Sequence, residues 1–383
     1  MATTAAQGKR VFIHVGVPKS GTSFIQSTFR DNQQRLLEAG FLYPSRHKAE
    51  MFHAALDVNG NHEKWGLQRE RVAGVWEQMA ARVRDFDGTS VISSEFLGAA
   101  KRPRIRRALA HLEGVDVHVI ATARDLTRQI PAEWQEGIKH GRTLSYAQFL
   151  ERILDPGSHR HGRRFWNNQG LPRVLARWGA GLAADHVHVV TCPPAGSDPR
   201  VLWERFCSVI AMDPGLVVLP ERAANTSLGV TEIEVLRRVN ESVRHREDPQ
   251  AYGRLTKILV GEVLRKHTSA RVTTPAELVP GLQVRAKQWR EQIDQRGYEV
   301  IGSMDDLEPT VPRGPFVDPD RVSPAAALSV TTAAVADLLR EVDELRRREE
   351  QHRGRFQQLL RRAMRRVKRV RPGLSRVRRS VTR

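Results

Sequence analysis

Residues 11–25, VFIHVGVPKSGTSFI, constrain the chain more than any other stretch. An apolar run with strand character, Val11 to Val15, leads into a loop of small residues, Gly16 to Ser23. Phe24, Ile25, Thr28 and Phe29 then follow at helical spacing. Strand, small-residue loop and helix is the arrangement in which backbone amides at a helix start hold an anion. Gly16 and Gly21 let the backbone approach such a ligand. Thr22 and Ser23 add hydroxyl donors, and Lys19 adds a mobile point charge.

The register narrows the chemistry. A Walker A loop places its Lys directly after the second Gly. Gly16 and Gly21 have the right separation, but Thr22 occupies the Lys position and Lys19 lies inside the loop. An NTP-dependent kinase, the nearest enzymatic alternative, would lack its β/γ-phosphate cation. The run Pro18-Lys19-Ser20-Gly21-Thr22-Ser23 resembles the 5′-phosphosulfate loop of sulfotransferases that use 3′-phosphoadenosine 5′-phosphosulfate (PAPS). The resemblance implies that these six residues bind PAPS and that Lys19 stabilises the leaving phosphate oxygen.

A second constellation follows the strand-like run 115–123, VDVHVIATA. Arg124 at a strand end, opening a helix, suits bidentate contact with a phosphate. Arg124-Asp125, Arg128 and Trp134 resemble the 3′-phosphate motif of the same family, and the resemblance makes Arg124 and Arg128 donor-binding residues. Leu126 stands where that motif has Pro, Arg128 comes one residue early, and Ala132 replaces the usual Ser. A third, weaker match is the run 222–229, RAANTSLG, in which Asn225, Ser227 and Arg222 are candidates for the 3′-phosphate or a lid. A helix N-cap by Asn225 or Thr226 is the plain alternative.

Transfer to a hydroxyl calls for a general base. Glu95 follows the strand-like Ser90–Ser93 and sits at a strand end beside the first loop. His53 is the second candidate, with a reference pKa near neutral. His14, just before the loop, reads as structural.

Strand-like runs at 11–15, 90–93, 115–122 and 186–191 alternate with helical patterns at 22–39, 68–84, 101–112, 124–139, 145–153 and 171–179. That alternation predicts an α/β fold with a parallel sheet. With the family resemblance it becomes a P-loop-kinase-like sheet flanked by helices, with a C-terminal helical extension. The expected division is a domain over 1–302, a Pro-rich linker over 303–324 and a basic helical tail over 325–383. Helices are expected at 198–212 and 229–268. Val335, Leu338, Val342 and Leu345 form a short a/d pattern, continued by Phe356 and Leu359, that seeks a partner.

The net charge of +19 suggests an anionic partner, but residues 346–383 carry sixteen Arg/Lys against two Glu, so most of it sits in the tail. A nucleic-acid role for the whole fold loses its support, and the tail has few aromatics for base stacking. The tail suits self-association or an anionic membrane surface, and a non-catalytic anion-binding protein is the alternative of another class. Two cysteines, Cys192 and Cys207, give no disulfide framework and point to a reducing compartment. No apolar run approaches the ~18 residues of a membrane span, and no signal core is visible at the start. A cytoplasmic location, peripheral at most, is expected. No metal is expected; the acceptor is expected to be a small molecule or glycan.

Overall fold

The computed structural model describes residues 8–220, 227–243 and 249–370. Six parallel strands form one sheet: β1 (Arg10–His14), β2 (Phe41–Leu42), β3 (Thr89–Ser93), β4 (Asp116–Ala123), β5 (Val187–Thr191) and β6 (Glu299–Ile301). Their order is β2-β3-β1-β4-β5-β6. The chain therefore goes from β1 to one edge, returns through β3, crosses β1 and adds β4 to β6 on the other side. This is the expected α/β class, and it makes the carboxyl ends around β1 a crevice where strand order reverses. β3 and β5 are buried throughout, as are Val11 to His14 of β1, which suits a sheet covered on both faces.

The four strands legible in the sequence are present with ends shifted by at most one residue. β2 and β6 were not anticipated; at two and three residues they are too short to show a period. The helix expected over 22–39 is two, Thr22–Asp31 and Gln33–Glu38. Asn32 divides them. Its Nδ2 donates to the carbonyls of Thr28 and Val218, both at 2.9 Å, and its Oδ1 accepts from Val218 N. Helices Glu50–Asn59 and Arg160–Gln169 were also missed. The pattern over 229–268 resolves into Val230–Val243 and Pro249–Ile258, the second running into a π turn at Leu259–Val263.

Residues 303–324 hold only two short 3₁₀ turns, yet they are tied to the domain. Asp306 accepts from Arg205 Nη1 at 2.6 Å and from Thr191 Oγ1 at 2.7 Å. Asp320 accepts from the amides of Tyr146 and Ala147, satisfying first-turn donors of helix Tyr146–Leu154. A single helix then runs over Pro324–Val370. Its start lies against Val230–Val243, with Ala327 and Ala334 buried and Leu338 packed on the core. Val335, Leu339, Val342 and Leu345 are exposed, so the a/d stripe is split: Leu338 turns to the domain and the rest turn outward. Among the described residues no helix is long and apolar enough to cross a membrane.

His14 stitches the centre of the sheet. Its Nδ1 lies 2.8 Å from Ser93 Oγ on β3, and its Nε2 lies 3.0 Å from Thr122 Oγ1 on β4. Complete burial pulls its pKa down from 6.5 to about 3, so it stays neutral. Its structural reading holds, and it fixes the relative position of the three strands whose ends carry the site.

Candidate active site

The loop leaving β1 is shaped by two glycines. Gly16 has φ +99°, and a Cβ there would lie 3.1 Å from Glu95 Cβ. Gly21, at φ +84°, opens helix Thr22–Asp31, and a Cβ would drive into Leu202 Cδ2 at 2.3 Å. Lys19 between them adopts φ +67°, uncommon for a residue with a Cβ. Among the described residues, the amides of Lys19, Ser20, Gly21, Thr22 and Ser23 donate to no protein acceptor. No side chain caps the helix. Consecutive unpaired amides at a helix start are what an anion needs.

The hydroxyls divide. Ser20 is fully buried, and its Oγ holds the loop in shape, donating to Val17 O at 2.5 Å and meeting Thr122 Oγ1 at 2.6 Å. Thr22 is buried too, whereas Ser23 is exposed. Pro18 offers its carbonyl to Gln129 Nε2 at 3.1 Å, which ties the loop to the helix after β4.

That helix, Leu126–Lys139, begins two residues after the expected start at 124, with Asp125 as N-cap accepting from Arg128 N at 3.0 Å. Asp125 also takes the Arg128 Nε in an ion pair, and the Arg128 Nη1 and Nη2 reach Pro193 O, each at 3.2 Å. Arg124 is less completely engaged. Its Nη1 donates to Lys19 O and its Nη2 to Arg128 O, both at 3.2 Å, while its Nε is buried without a partner. Burial, then the neighbouring Arg128, lowers the Arg124 pKa. Two guanidiniums thus lie beside the loop, and only that of Arg128 is paired with a carboxylate. Trp134, aligned with the motif's aromatic, is buried in the core with its Nε1 on Leu144 O at 2.9 Å.

Lys19 is not free. Its Nζ lies 2.7 Å from Glu136 Oε2. Burial pulls the Glu136 carboxyl up, but the hydrogen bond from His140 and the attraction of Lys19 outweigh it and hold Glu136 below the carboxylate range. Burial pushes Glu133, one turn earlier, upward against the pull of Lys19 and Arg142. Sequence reading missed both acids. The signal was present as Glu133, Glu136 and His140 spaced along one helix face behind Arg124.

Glu95 opens a 3₁₀ turn, Glu95–Ala99, directly after β3. Its Oε2 accepts from Gln26 Nε2 at 2.7 Å. With Gln26, Arg30, Lys48, Phe52 and Phe96 it lines a small cleft of about 70 Å³ next to the loop. Phe52, Trp65 and Phe96 form a half-exposed edge-to-face aromatic group, with ring centroids 5.0 to 5.2 Å apart. His53 does not line this cleft. It sits on helix Glu50–Asn59 against His47, ring centroids 6.0 Å apart, and burial and His47 lower its pKa. Ser227 is exposed, one residue before Leu228, whose carbonyl accepts from Gln135 on the Arg124-side helix. Arg222 and Asn225 lie outside the described residues.

No protein-family model matches the chain, and no curated protein matches it. Among solved structures it is similar to a sulfotransferase from Alicyclobacillus acidocaldarius. That likeness has a TM-score of 0.35 and 14% identity, over 65% of this chain and 99% of the other.

Proposed function

We propose that this chain transfers a sulfuryl group from PAPS to a hydroxyl of a carbohydrate or glycolipid. The observation that carries the reading is the run of unpaired amides at residues 19–23 beside Lys19 and the unpartnered Arg124 Nε. A doubly phosphorylated nucleotide matches those donors, with its 5′ side on the loop and its 3′-phosphate on Arg124 and Arg128. PAPS, when bound, supplies an activated sulfuryl group.

The remaining chemistry belongs to the side chains. The loop amides hold oxyanions without reorganising, because Ser20, Thr122 and Gln129 fix the loop beforehand. Lys19 exchanges Glu136 for the anion, bringing its ammonium to the oxygen on which charge builds. Glu95, pressed against Gly16 and steadied by Gln26, takes the proton from an acceptor hydroxyl in the adjoining cleft. Phe52, Trp65 and Phe96 offer ring faces for a sugar, and Arg30 and Lys48 add positive charge.

Thr22 is buried at the position of a Walker lysine, which disfavours the kinase alternative. The reading is tested by incubating the full chain with radiolabelled PAPS and a panel of glycans and glycolipids. Label on a hydroxyl acceptor supports it; no transfer to any acceptor, together with phosphoryl transfer from ATP, replaces it with the kinase reading.

A further inference from the structure

The amino edge of the sheet, opposite the loop, carries a cluster that sulfuryl transfer does not use. β4 begins Asp116-Val117-His118, and β5 is entered through His186-Val187-His188. The register pairs Val119 with Val187, so His118 and His186 stand side by side. Their rings stack with centroids 4.2 Å apart.

We propose that Asp116, His118 and His186 form a binding site for a single divalent transition-metal ion of the zinc type. The donor atoms converge. His118 Nε2 lies 3.2 Å from Asp116 Oδ2, His186 Nε2 lies 2.9 Å from Asp116 Oδ1, and all three ligand atoms fall within 4.8 Å of one another. Ligands about 2.0–2.1 Å from a tetrahedral ion are about 3.3 Å apart, a spacing the two His–Asp116 pairs already approach, and the stacked imidazoles reach it by turning about their side-chain bonds. Two imidazoles and a carboxylate with a fourth position open to solvent suit zinc, cobalt or nickel better than calcium or magnesium.

The second layer fixes the tautomers. His186 Nδ1 lies 2.9 Å from Asp185 Oδ1. His118 Nδ1 lies 2.9 Å from His188 Nε2, and His188 Nδ1 lies 2.5 Å from Glu299 Oε2. A proton on each Nδ1 satisfies every one of these contacts: His186 donates to Asp185, His118 to His188, and His188 to Glu299. Both Nε2 lone pairs then face the Asp116 carboxylate, one on each oxygen. His186 is thus backed directly by a carboxylate and His118 through His188, and such partners are the usual outer shell of a metal ligand. Phe12 stacks on His118 at 4.7 Å and holds the ring. Arg10 works against the ion, with its Nε 3.3 Å from Asp116 Oδ2. The ion would clip β4 to β5 and, through Glu299, to β6.

The test uses the full-length chain, free of affinity tag and stripped with chelator, titrated with Co²⁺ and then Zn²⁺. The expected result is one Co²⁺ per chain with the visible absorption of a tetrahedral nitrogen–oxygen site, displaced by Zn²⁺, and a raised melting temperature. His118→Ala and His186→Ala should each weaken binding by at least ~100-fold, and Asp185→Asn by ~10–100-fold. Arg10→Gln should tighten it, a gain that misfolding cannot imitate. Absence of stoichiometric binding by the unaltered chain, a thiolate charge-transfer band, or affinity unchanged in both histidine variants would overturn the proposal.

Discussion

The two ends of one sheet carry opposite chemistry. At the carboxyl end, β1 and β4 run into helices whose first amides have few partners, and Lys19, Arg124 and Arg128 gather beside them. At the amino end, the same β4, with β5, presents a carboxylate between two imidazoles. A parallel sheet aligns all its strand ends. Donors created by helix starts therefore collect on one side, and the other side is left to whatever side chains open the strands. His14 lies between, buried and neutral, and is shared by neither end.

That contrast can be attacked at the carboxyl end first. Glu95→Gln should reduce turnover by about 10²–10⁴-fold with nucleotide affinity retained, since it removes only a proton acceptor. His53→Asn should cost less, and mainly in acceptor KM, because His53 lies outside the cleft. Steady-state kinetics at saturating PAPS decide; loss of turnover in His53→Asn alone would reverse the assignment. Lys19→Ala should lower kcat by about 10²-fold. An unchanged kcat would leave Lys19 as no more than a partner for Glu136. Arg124→Ala should weaken adenosine 3′,5′-bisphosphate by about 1.5–3 kcal/mol more than adenosine 5′-phosphate. Titration calorimetry with both ligands measures this, and equal losses would detach Arg124 from the 3′-phosphate.

The last expected effect concerns the centre and is read in stability, not in activity. His14 has a folded pKa of about 3 against 6.5, so the unfolded chain binds the extra proton between those values. Stability contributed by the neutral ring is whole above pH 6.5 and falls as the pH drops towards 3. In denaturant titrations, the gap between the wild type and His14→Gln should narrow as the solution is acidified. A constant gap would show that His14 is not held neutral.

Local pattern made the carboxyl end legible. The strand, the loop and the helix start are contiguous in sequence, so residues 11–25 and 115–128 betrayed their places directly. What depended on residues far apart did not show. Glu136 meets Lys19 across the loop, Gln26 steadies Glu95, and Trp65 joins Phe52 and Phe96 only after folding. Ser20 read as a phosphate ligand, yet its hydroxyl is turned inward onto Val17 and Thr122. At the amino end, Asp-x-His and His-x-His sat at the openings of two strands, and period two placed each pair on one face. That signal was readable only with the pairing of β4 and β5 in hand.

The most direct test of the account is ligand binding to the full chain by adenosine 3′,5′-bisphosphate, adenosine 5′-phosphate and ATP–Mg²⁺, read by calorimetry and melting shift. The account predicts that the bisphosphate binds at least about tenfold tighter than either, a margin of about 1.4 kcal/mol. A preference for ATP–Mg²⁺, or no difference between the bisphosphate and the monophosphate, would contradict it.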